Sequence, residues 1–97
     1  MADVSDDGKK VGSRQGDDII INDKLAARVS GNTIRDLNGN VVALIKGDSI
    51  VDAYGNQLFE LKDKEVWDHL GGKLAARADD SSSVPAAAYY ALLKAKR

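Results

Sequence analysis

Gly31-Asn-Thr-Ile-Arg-Asp-Leu-Asn-Gly-Asn-Val-Val-Ala-Leu-Ile45 is repeated 16 residues on as Gly47-Asp-Ser-Ile-Val-Asp-Ala-Tyr-Gly-Asn-Gln-Leu-Phe-Glu-Leu61. A third copy, Glu65-Val-Trp-Asp-His-Leu-Gly-Gly-Lys-Leu-Ala-Ala-Arg77, keeps the register. A repeat this short cannot bury an apolar face alone, so the fold is built by setting copies side by side. Each copy carries an aspartate three residues before a glycine: Asp36 and Gly39, Asp52 and Gly55, Asp68 and Gly71. The carboxylate can accept from backbone N–H groups ahead of it, and the glycine supplies a positive φ, so each pair marks a hairpin turn.

The pieces flanking these turns, Thr33-Ile-Arg35 and Val41-Val-Ala-Leu-Ile45 and their counterparts, are rich in strand formers. Links such as Lys46-Gly-Asp48 and Lys62-Asp-Lys64 are too short for anything but antiparallel return. Comparing copies predicts a core. Ile34, Ile50 and Val66 stay β-branched, and Val42, Leu58 and Leu74 stay apolar, so both sets are expected to face inward. Arg35, Val51 and Trp67, with Val41, Gln57 and Lys73, vary and are expected to face outward. Ile45 and Leu61 read as buried, and Arg77 departs from them as an exposed edge or a paired charge.

Asp18-Ile-Ile-Ile-Asn-Asp-Lys-Leu-Ala-Ala-Arg-Val29 reads as a degraded first copy without its glycine. Its Lys24-Leu-Ala-Ala-Arg28 returns as Lys73-Leu-Ala-Ala-Arg77, which is 49 residues away rather than 48. The expected fold is all-β: an antiparallel meander of about four 16-residue hairpins in a flower-like or barrel arrangement over residues 17–78. Meeting of the first and last copies would close a ring and remove its edges.

Residues 1–16 mix Asp, Gly, Ser and Lys and are read as a disordered arm, with residues 79–83 as a linker. Val84-Pro-Ala-Ala-Ala-Tyr-Tyr-Ala-Leu-Leu-Lys-Ala-Lys-Arg97 then changes period and predicts a helix, with Pro85 in the first turn and cations at the end. Tyr89, Leu92 and Leu93 form its apolar stripe, which either docks on the repeats or engages a partner protein or second copy.

Units of the form Ile-x-Asp-x-x-Gly-Asn-x-Val-x-x-Ile with Lys-Gly-Asp links resemble the 4-fold β-flower domain of bacterial and phage proteins. The resemblance covers residues 17–78 and implies four hairpins about a pseudo-fourfold axis. It supplies no catalytic residues.

Composition narrows function by exclusion. The 97 residues include no cysteine, so thiol chemistry and disulfides are out. No apolar run approaches the roughly 20 residues that span a bilayer, and no apolar leader opens the chain, which points to a cytoplasmic protein. Net charge is −1, with ten acids and eight bases in residues 17–78, so a phosphate-binding surface is disfavoured. Walker, dinucleotide and zinc-protease motifs are absent. The sole histidine, His69, stands at a turn position that is Leu37 or Ala53 elsewhere and lacks a nucleophile partner. In the Asp36 loop a glycine occupies the twelfth place, where calcium loops need a bidentate glutamate.

The expectation is therefore a non-enzymatic recognition module without a cofactor or metal, binding a protein or forming a homo-oligomer. Its contact residues would be Trp67, Arg35, Val51, Tyr54 and Lys73, with Tyr89, Leu92 and Leu93 on the helix. Exposed aromatics on a rigid frame are the residue types that dominate protein interfaces. Two alternatives are a small-ligand or cation site at the turn aspartates and weak nucleic-acid binding through Lys73, Arg77 and the basic C-terminus.

Overall fold

A computed structural model of the chain describes residues 2–69 and 72–95. Among these, ten strands form one closed antiparallel barrel: β1 (Ala2–Asp6), β2 (Lys9–Gln15), β3 (Asp18–Ile21), β4 (Lys24–Ser30), β5 (Thr33–Asp36), β6 (Val41–Lys46), β7 (Ser49–Val51), β8 (Gln57–Lys62), β9 (Glu65–Asp68) and β10 (Leu74–Ala78). Every strand pairs with its sequence neighbours, and β1 pairs with β10 to close the ring. A 3-10 turn (Ser81–Ser83) and α1 (Val84–Ala95) follow.

The residues expected as a disordered arm are instead the first hairpin, β1–β2. Its Asp7-Gly8 corner has φ of 54° and 80°, the two positive values of a tight hairpin turn. Ala2 and Val4 are buried, and Gly12 lies opposite both Val4 and Ile21. A Cβ on Gly12 would stand 2.5 Å from the Ile20 carbonyl oxygen, so the strands approach closely there. The ring thus holds five hairpins rather than four, and it is closed by residues 4–5 against 77–78. The linker is likewise ordered: Asp80 caps the 3-10 turn through Ser82 N–H and Ser83.

The five hairpins share one irregularity. Pairing registers leave an extra residue on each second strand, at Val11, Ala26, Val42, Leu58 and Ala75. Such bulges bend and twist a strand, and five of them curl the sheet into a closed wall. Each extra residue packs on the core, and in every hairpin but the first, where Gly12 follows Val11, the next side chain is inward too. Val42 and Leu58 face inward as expected, but the fully inward layer is Gly12, Ala27, Ala43, Phe59 and Ala76. Leu74 is a correction: the longer last turn shifts β10 by one residue, leaving it 38% exposed opposite Trp67. The same shift turns Arg77 outward, paired with Glu65, and puts Ala78 in the place of Ile45 and Leu61.

Eight-stranded barrels have interiors that their own side chains just fill, so ten strands enclose extra space. Helix α1 fills it. The 3-10 turn sits at one rim, where Asp79 N–H and Ser83 Oγ donate to the Asp3 carbonyl at 2.8 and 3.1 Å. At the other end of the helix, Tyr90 Oη–H and Lys94 Nζ donate to Asp6 Oδ2 at 2.7 and 3.0 Å, on the opposite rim. A helix of 12 residues covers about 18 Å, enough to pass from rim to rim. Val84, Pro85, Ala86, Ala87 and Ala88 are consecutive and all buried, so the helix is enclosed on every side. Alanines keep it thin. Gly12, Ala76 and Ala78 line the wall it leans on, while Ile34, Ile50 and Phe59 fill the far side.

Candidate functional site

Because the chain's own helix occupies the lumen, the accessible surfaces are the rims and the outer wall. The entry rim carries the two-residue links at Gly16-Asp17, Gly31-Asn32, Gly47-Asp48 and Asp63-Lys64. The distal rim carries the hairpin turns at 7–8, 22–23, 37–40, 52–56 and 69–73, and the last of these includes residues outside those described.

Two distal turns are built alike. Asp36 Oδ1 accepts from the N–H groups of Asn38 and Asn40, both at 2.9 Å, and its Oδ2 accepts from Asn40 Nδ2 at 3.4 Å. Asp52 Oδ1 accepts from Tyr54 and Asn56 N–H at 2.9 Å, with Asn56 Nδ2 on Oδ2 at 3.1 Å. These donors, the N–H of Asn40 or Asn56 foremost, hold both carboxyls below the ordinary aspartate value. Gly39 and Gly55 take φ of 88° and return N–H bonds of 3.1 Å to the aspartate carbonyls. Arg35 adds a bond from Nη1 to the Gly39 carbonyl at 3.0 Å. The aspartates thus serve their own turns. Among the described residues, no group of three or more His, Cys, Asp or Glu could hold a metal ion.

A rigid turn presents whatever side chain points away from it. Tyr54 is 89% exposed and Leu37 53% exposed, the two most exposed large apolar side chains among the described residues. Leu37 was passed over because its position is Ala53 or His69 in the other copies, although an apolar residue at a polar corner was itself a signal.

On the outer wall Trp67 is half-buried between Glu60 of β8 and Leu74 of β10. Its indole N–H donates to Glu65 Oε1 at 3.3 Å, and Lys62 Nζ lies 5.2 Å from the ring centroid. That separation is within cation–π range. His69 Nδ1 stands 3.7 Å from Glu60 Oε1. Arg35 and Lys73 are exposed as expected.

Other expected contact residues are placed differently. Val51 faces outward by register but is 7% exposed between Leu44 and Gln57. Leu92 is buried, and Tyr89 and Leu93 pack against the core, so the helix stripe docks in its own barrel. Burial, and then the negative charge of Asp36, push the Tyr89 hydroxyl above its usual pKa. Lys96 and Arg97 of the basic C-terminus lie outside the described residues.

The chain matches no protein-family model, no curated protein and no solved structure.

Proposed function

We propose that this protein is a non-enzymatic recognition module whose distal rim and adjacent outer wall bind another protein. One observation carries the reading: Tyr54, 89% exposed, stands on a turn whose backbone is fixed by Asp52. A pre-ordered tyrosine offers contact area at little conformational cost, which is why tyrosines recur as interface anchors. Leu37 and Arg35 extend this rim, and Trp67, Leu74 and Lys73 continue it onto the wall. The filled lumen argues against a ligand held inside the barrel.

The likeness to the 4-fold β-flower family belongs to the same proposal, supported by hairpins repeated about one axis and departing from it in having five. A cytoplasmic setting is proposed with it. The described residues contain no helix long and apolar enough to cross a membrane.

The test is crosslinking from the Tyr54 position in host lysate, with Tyr54→Ala and Trp67→Ala as competitors. A single protein captured by the parent chain and spared by Tyr54→Ala supports the reading. Capture that ignores both substitutions, or that yields only this chain, contradicts a heterologous partner at this rim.

A further inference from the structure

Nine joins of the barrel link strands adjacent in sequence and pair three to five residues each. The tenth, β1 with β10, pairs only Val4 with Ala78 and Ser5 with Arg77. Two grooves run along this seam, both lined in part by the paired residues Ser5 and Arg77. One, of 680 Å³, runs between Asp3, Gly8 and Lys10 and the facing Lys64, Glu65 and Asp79. The other, of 260 Å³, lies between Asp6, Asp7 and Gly8 and the facing Leu74 and Ala76. The sheet is therefore thinnest where the first and last strands meet.

Besides its four-pair ladder with β3, the first hairpin is held by the 3-10 turn and α1. Asp79 N–H and Ser83 Oγ bond the Asp3 carbonyl, and Arg14 Nη1 donates to the Ser82 carbonyl at 2.9 Å. At the distal rim Asp6 takes both Tyr90 Oη and Lys94 Nζ. On the outer side of the seam, Lys10 Nζ is 3.5 Å from Asp3 Oδ1, a buried oxygen with no hydrogen-bond donor. The side-chain bonds just named from the 3-10 turn and α1 to the wall fall on β1 and β2, where Gly12 and Val4 stand in the places that Phe59 and Ile50 take in the β7–β8 hairpin.

We propose that the β1–β2 hairpin is a gate in the barrel wall, latched by α1 through Asp6 at one rim and by the 3-10 turn at the other. Its hinge is the Gly16-Asp17 link, where Gly16 has φ of 63° and open space around it. Opening uncovers the edge of β10 and the alanine face of α1 while the other eight strands keep their ladder.

Hydrogen exchange followed by mass spectrometry tests this on the full chain. In the parent protein, amides of residues 2–15 should exchange through an opening that leaves residues 33–62 protected. Asp6→Ala, which removes both distal latch bonds, should speed exchange of residues 2–15 and 74–78 by about tenfold or more with 33–62 unchanged. Lys94→Ala, which removes one bond, should do so less. A cross-strand disulfide from Ser5→Cys with Arg77→Cys should abolish the difference in the oxidised form. Residues 2–15 as protected as 33–62 in the parent, or uniform acceleration of all strands in Lys94→Ala, would overturn the gate.

Discussion

Replacing Ala87 by leucine asks whether the helix lies inside the wall or merely against it. Ala87 is fully buried, flanked by Ala86 and Ala88 that are also fully buried, so no direction is open to a longer side chain. Leucine adds three carbons to a space closed by barrel wall on every side. Overpacking of that kind costs about 1–3 kcal/mol, by off-rotamer side chains and backbone shifts. For a chain of 97 residues each kcal/mol corresponds to roughly 4–8 °C in Tm, so a fall of about 5–20 °C is expected. Ala95→Leu, at the exposed end of the same helix, is the matched control and should change stability by less than about 0.5 kcal/mol. Urea titrations of both variants, compared at equal m-value, read the difference directly. Equal midpoints for the two variants would refute an enclosed helix.

Further outcomes follow from single residues. Gly12→Ala should destabilise by about 1–3 kcal/mol in the same titration, because its Cβ meets the unyielding Ile20 backbone as well as Ile21 Cδ1. Phe59→Ala should cost about 3–5 kcal/mol, the range for a buried aromatic on a crowded wall. Tyr54→Ala should leave the urea midpoint within about 0.5 kcal/mol of the parent, since its side chain is exposed. Asp36, Asp52 and Asp6 have carboxyls held below the ordinary value by their donors, for Asp6 chiefly the Tyr90 hydroxyl. Their contribution is therefore present above the unfolded value of about 3.9 and lost as pH falls through the lower folded values. Urea midpoints should drop below pH 4, and Asp36→Asn with Asp52→Asn should flatten that drop.

The turns were plain in the sequence because they are local: an aspartate and a glycine three residues apart specify their own hydrogen bonds. Ile34, Ile50 and Val66 were plain for the same reason, being inward neighbours of those turns. Bulges were not, since an extra residue leaves no mark until two strands are paired. That is why Leu74 was placed inside, and why the offset of 49 residues between the two Lys-Leu-Ala-Ala-Arg stretches looked like a flaw. It records the longer last turn, and both stretches carry their bulge at the same alanine, Ala26 and Ala75.

The first hairpin went unseen because its core residues are small and its corner is Asp7-Gly8, without the longer aspartate turn. A spacing signal did exist: Gly16, Gly31 and Gly47 each precede an Asp or Asn and stand 15 and 16 residues apart. Those are the entry-rim links, and the first of them presupposes a strand before it. The helix was found by propensity, but its alanines read as helix formers rather than as the small residues a ten-stranded lumen requires. Of the positions expected to face outward, Arg35 and Lys73 are exposed and Trp67 is half-buried on the outer wall. Val51 is buried by neighbouring strands, and the choice between docking and a partner for the helix stripe waited on the closed wall, because both are tertiary facts.

Methyl NOEs from Ala87 in the intact protein address the filled barrel most directly. Cross-peaks from this one methyl group or its neighbours Ala86 and Ala88 to Val4, Ile19 and Val66, on three separate strands, are the expected result. Cross-peaks confined to one strand pair, or methyls broadened by a paramagnetic agent in solvent, would show an empty barrel with its helix outside.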